Sequence, residues 1–130
     1  MNRIFLVGGV YGLALGVLIA SHLLGWGLLD LFLKKPYTLG THTTVWMDWH
    51  SIGCSFVGVT SLLASGAALA GTPRRQAAKA LFAIYAIWGV QNAWVCVTRP
   101  DFTAVMWLHA ILCLACAAGY AAWLRGSPTA

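Results

Sequence analysis

The sequence predicts an all-α integral membrane protein, a single four-helix bundle with both termini in the cytoplasm. Three observations carry this. The 130-residue chain is 60% hydrophobic and only 8% charged, with a mean hydropathy of +0.78, which is far too apolar for a soluble domain. Four apolar runs are each long enough to cross a hydrocarbon core of about 30 Å, which takes roughly 20 helical residues. The segments between them, "KKPYTLGTH", "GTPRRQ" and "RPDF", are too short to hold a second domain.

The expected spans are about 4–33, 44–71, 77–98 and 103–124. Arg3 ahead of the first run gives it the look of a secretory signal, but the apolar core of a signal is about 7–15 residues long. This run continues toward Lys34 and Lys35 without a convincing small-residue cleavage site, so it is read as the first span. With four spans, Arg3, Arg74, Arg75, Lys79 and Arg125 share one side. Lys34, Lys35 and Arg99 lie on the other, with Asp30, Asp48 and Asp101. The richer side is placed in the cytoplasm, because short cytoplasmic loops carry the excess of Lys and Arg. The expected location is a bacterial inner membrane. The net charge of +5 follows from this bias and from contact with anionic headgroups, and no basic, aromatic-interleaved soluble segment points to nucleic acid.

Residues three and four apart share a helical face. In the first span Gly8, Gly12, Gly16 and Ala20 form a small-residue ridge of the kind that lets membrane helices approach closely. A second stripe holds Tyr11, Leu18, His22, Trp26 and Asp30. The second span contributes Trp46, His50, Cys54 and Val57; the third Tyr85, Trp88, Asn92, Cys96 and Arg99; the fourth Met106, His109, Cys113, Cys116 and Tyr120. Each helix thus has one face unlike lipid, and these faces are expected to point inward. His22, Asp30, Asp48, His50, Asn92, Arg99 and His109 gather in the half away from the cytoplasm, which suggests a pocket opening outward. The alternatives stay open residue by residue. Trp26, Trp46, Trp49, Trp94 and Trp107 fit an interfacial belt. A single buried histidine is more often a hydrogen-bonded structural group than a ligand. The cysteines read as packing thiols: Cys113 and Cys116 have redox-pair spacing but no loop cysteines to exchange with, and a zinc site is not expected because the cysteines sit at different depths.

"WMDWHS" at the start of the second span, the basic loop "GTPRRQ" and "IYAIWGVQNAW" in the third together resemble the small four-helix membrane isomerases, styrene oxide isomerase and hydroxylaminobenzene mutase. The resemblance covers about Trp46 to Cys96. It implies haem b with His50 as the axial ligand and metal-binding residue, Asn92 as a pocket residue, and a Lewis-acid isomerase acting on a small hydrophobic epoxide- or hydroxylamine-like substrate. His109 or Asn92 would then steer the proton or the developing charge. A bundle this small with a glycine ridge is expected to form a homo-oligomer, a dimer or, as the resemblance implies, a trimer. The chain departs from the family at Phe56, where an asparagine is expected, and at Trp88 and Cys96 beside Asn92. Two other readings remain: a cofactor-independent acid/base isomerase or cyclase using Asp48, His50 and His109, and a non-enzymatic accessory subunit of a larger membrane complex.

Overall fold

The structure, a computed structural model, describes residues 2–25, 30–35 and 41–127, without the side chains of His22 and His42. The stripe position Trp26 and the side chain of His22 lie outside the described residues. Four α-helices are formed: α1 (Arg3–Ala20), α2 (His42–Ser65), α3 (Thr72–Thr98) and α4 (Ala104–Gly126). Three of them, α1, α3 and α4, are long and apolar enough to cross a membrane. Helix α2 has the length, at 24 residues, but its outer turns carry Thr43, Thr44, Asp48, His50 and Ser51.

The first apolar run does not form the single span 4–33. Helix α1 stops at Ala20, where the Ser21 hydroxyl donates to the Leu18 carbonyl at 2.6 Å, and a 3-10 turn, Ser21–Leu24, leads to Gly25 at φ 78°. A serine that bonds back to its own helix and a residue in the left-handed region both favour a helix end. Farther on, Phe32 and Leu33 are buried against Met47, Phe102 and Met106. Their backbone runs beside the α3–α4 connection: Lys34 N–H donates to Asp101 O at 2.7 Å and Thr103 N–H to Phe32 O at 2.9 Å. The two connections at this end are therefore tied together.

The other helix boundaries have visible causes. Thr41 and Thr103 cap α2 and α4, their hydroxyls accepting from Thr44 N–H and Val105 N–H. Helix α2 ends at Ser65 rather than near 71. Arg74, on the first turn of α3, donates to the carbonyls of Ala64 and Gly66, which supplies partners that the end of α2 would otherwise lack. Pro73 starts α3 after Gly71, whose φ of 65° suits glycine.

Packing is in two antiparallel pairs, α1 with α2 and α3 with α4. The glycine ridge makes the first pair possible. A Cβ on Gly12 would meet Cys54 O, Gly58 Cα and the Tyr85 hydroxyl at 3.0–3.1 Å, and one on Gly58 would come within 2.4 Å of Leu13 N. The ridge is covered within the same chain, by α2 at Gly12 and Gly16 and by Tyr120 of α4 at Gly8, so a dimer or trimer would have to be built on other faces. Between the pairs the space is filled by large polar-tipped side chains. Tyr120 stacks on Tyr85 at 5.8 Å and donates to Ser61 at 2.6 Å, Ser61 donates to Phe5 O at 2.6 Å, and Tyr85 donates to Gly8 O at 2.8 Å. In lipid such ties and close packing, rather than hydrophobic burial, hold helices together. The N-terminus, the α2–α3 turn and the C-terminal end of α4 lie at one end, joined by Trp123 Nε1–H to Asn2 Oδ1 and Arg75 to Ser127 O. The outward faces carry Val7, Val10, Val17, Phe56, Ile87, Val90, Val97 and Ile111, all exposed.

Candidate functional site

Toward the other end, side chains from all four helices converge. Four-residue spacing puts Trp46, His50 and Cys54 on one face of α2, and His109 and Cys113 on one face of α4. Both histidines are buried. His50 Nε2 lies 2.8 Å from His109 Nε2, and His109 Nδ1 lies 2.5 Å from the Tyr11 hydroxyl of α1. The result is a hydrogen-bonded row, Tyr11–His109–His50, in which Nδ1 of His50 is the one ring nitrogen left over.

Two proton fillings satisfy this row when both rings are neutral, since each imidazole then carries one N–H. In one, Tyr11 donates to His109 Nδ1, His109 Nε2–H donates to His50 Nε2, and His50 keeps its proton on Nδ1. In the other, His50 Nε2–H donates to His109, His109 Nδ1–H donates to the Tyr11 oxygen, and His50 Nδ1 is a bare base. Moving between them turns the outer nitrogen of His50 from acid to base.

Aromatic rings enclose the row. Trp46 stacks on His50 with centroids 5.1 Å apart and planes 6° from parallel, and Trp88 of α3 meets it edge-on at 4.8 Å. Trp46 is thus a wall of the site, not a belt residue, whereas Trp49, Trp94 and Trp107 are exposed. Trp46 also lines a cavity of about 110 Å³ with Thr43, Val95, Arg99 and Phe102. Arg99 at this mouth donates to Thr43 Oγ1 at 3.4 Å.

The other predicted residues fall as follows. Asn92, one turn from Trp88, is fully buried, and neither its amide nitrogen nor its oxygen has a hydrogen-bond partner among the described residues. Asp48 is half-buried on another side of α2, and the row does not pass through it. Phe56 is exposed.

Three residues have a part at the site that the sequence did not give them. Cys54 Sγ and one ring nitrogen each of His50 and His109 all lie within 4.8 Å of one another, so the expectation that depth keeps the cysteines out of a metal-binding group is corrected for Cys54. Cys113 Sγ lies 3.6 Å from His109 Nδ1 and 3.8 Å from Nε2. The signal was there in the matching spacings His50-x3-Cys54 and His109-x3-Cys113. Tyr11 was placed on an inward stripe but given no role. All four cysteines are free thiols.

Comparison with protein-family models, characterised proteins and solved structures finds no match. The resemblance to the membrane isomerases therefore rests on the short motifs alone, and the haem it implies can be tested against the packing. A haem iron on His50 would need a free ring nitrogen facing open space. Nε2 is held by His109, Trp46 covers the ring face and Trp88 approaches from the side. A porphyrin does not fit at Nε2 of His50 in this arrangement, which leaves Nδ1 as the one nitrogen of that ring that an iron could take.

Proposed function

We propose that this chain is a four-helix bundle of the bacterial inner membrane, with both termini in the cytoplasm, that isomerises a small hydrophobic epoxide- or hydroxylamine-like substrate by proton transfer. The orientation is supported by the basic residues of the end that carries both termini, and the membrane setting by the apolar outward faces.

The observation that carries the catalytic reading is the 2.8 Å contact between His50 and His109. With its outer nitrogen bare, His50 takes a proton from the substrate. The positive charge is then shared with His109 across their hydrogen bond, and Tyr11 accepts from the far nitrogen of His109. The same proton is returned to a different substrate atom, so an isomerisation closes with nothing consumed. An isolated cation in the bilayer interior costs several kcal/mol, and spreading it over two rings flanked by Trp46 and Trp88 lowers that cost. Asn92 supplies the polar anchor. An unpaired buried amide costs about 1–3 kcal/mol, and a substrate oxygen or N–O group would relieve it. A substrate would reach His50 from the cavity that Trp46 lines, past the Trp46 ring.

The test is turnover by the detergent-purified protein of aryl epoxides and aryl hydroxylamines, followed by mass spectrometry and NMR of the isomeric products. General acid–base groups contribute about 10²–10⁴-fold, so His50→Gln and His109→Gln should each lose at least about 100-fold. Isomerisation that survives either change, or that tracks a haem absorbance, would overturn the reading.

A further inference from the structure

We propose that His50, Cys54 and His109 form a binding site for one soft transition-metal ion, copper(I), held by two imidazole Nε2 atoms and one thiolate. One ligand atom from each of the three residues already lies within 4.8 Å of the other two, the two Nε2 atoms stand 2.8 Å apart, and the residues are buried and come from two helices. Imidazole and thiolate together select copper and zinc over the hard cations. Charge decides between those two. One thiolate neutralises a monovalent ion completely, whereas a divalent ion would leave a net positive charge in an apolar interior, where unpaired charge is expensive.

Geometry and hydrogen bonding agree with this assignment. Metal–nitrogen bonds are about 2.0–2.1 Å long, so two nitrogens at a trigonal ion sit about 3.5 Å apart. His50 and His109 stand at 2.8 Å and need part by less than an ångström. The ion takes the place of the proton between them. Both rings then carry their proton on Nδ1, and His109 Nδ1–H donates to the Tyr11 oxygen 2.5 Å away. A ligating histidine usually donates its second N–H in this way, which fixes its tautomer and orientation. Tyr11 is therefore a positioning residue. Cys54 loses its proton on binding, so one proton is released per ion.

The site uses the same histidines as the proposed isomerase but does not depend on turnover. With the ion bound the pair no longer shares a proton, so copper and acid–base catalysis exclude each other.

The experiment is anaerobic titration of the purified, metal-free protein with copper(I), against a chromophoric copper(I) chelator, with X-ray absorption of the loaded protein. One ion per chain is expected, with a first shell of two nitrogens and one sulfur. Cys54→Ser, His50→Gln and His109→Gln should each weaken binding by at least about 100-fold, and Tyr11→Phe by about 10–100-fold. Cys116→Ser, a core thiol outside the cluster, should bind as the parent does. Helical content by circular dichroism is measured for each, and the X-ray absorption of the unsubstituted protein assigns the ligands even if a variant misfolds. No stoichiometric uptake, or uptake that survives Cys54→Ser in a folded protein, would refute the site. Preferential binding of zinc that also requires Cys113 would refute the copper assignment. Copper binding without isomerase activity leaves the site standing and removes the catalytic reading; activity without copper binding does the reverse.

Discussion

Gly58→Ala tests the α1–α2 seam through the sign of its effect. The new Cβ would lie 2.4 Å from Leu13 N, 2.9 Å from Gly9 O and 2.9 Å from Leu13 Cα. All three are backbone atoms of the facing helix, so none can rotate away. Non-bonded heavy atoms settle near 3.5–4.0 Å, so α1 and α2 must separate by about 1 Å at this point. That separation loosens the contacts on either side, at Gly9 against Leu62 and at Gly16 against Ser51 and Ser55. Overpacking of this kind costs about 1–3 kcal/mol. Alanine returns up to about 1 kcal/mol through helix propensity. A net loss of about 1–2 kcal/mol is expected. Were Gly58 on a lipid-facing surface, propensity alone would act and the variant would gain stability. Reversible unfolding in mixed micelles, followed by circular dichroism, measures the difference. Gly126→Ala is the control, since its Cβ meets nothing within 4 Å and should be neutral or slightly stabilising. A Gly58→Ala protein as stable as the parent, or more so, would refute the seam.

Asn92→Leu should stabilise the ligand-free protein by about 1–3 kcal/mol in the same unfolding assay, by removing an unpaired buried amide, while lowering turnover; a destabilised variant would mean that the amide has a partner. Arg74→Ala should free the carbonyls of Ala64 and Gly66 and cost about 1.5–3 kcal/mol, seen as faster amide exchange in the last turn of α2. A C-terminal green fluorescent protein fusion should be bright and a C-terminal alkaline phosphatase fusion inactive; the opposite pair of results would invert the proposed topology.

Much of the fold was legible because lipid imposes strong composition rules. The last two helices lie within a few residues of their predicted bounds, and the stripes of α2, α3 and α4 turn inward except at Arg99, which is exposed. What hydropathy could not see was local backbone chemistry. Residues 4–33 read as one run because Ser21 and Gly25 hardly lower its average, yet a side-chain hydrogen bond and a positive φ end the helix there. For the site, His50 and His109 could each be named, but not their contact, which depends on how α2 and α4 are rotated and how far each is shifted along its axis. The same ignorance led to Cys54 being set aside on depth. Tyr11 needed a further unknown, the rotation of α1 toward α4.

The hydrogen-bonded row also carries a consequence for biogenesis. Each of its links crosses from one helix pair to the other: Tyr11 and His50 belong to the α1–α2 hairpin, and His109, between them, belongs to α4. Membrane helices insert before they associate. Until the second hairpin docks, the first exposes an imidazole and a phenol to lipid with nothing from α4 to meet them. The row comes into being at the last step of assembly, and its polar groups reward the docking that completes the protein.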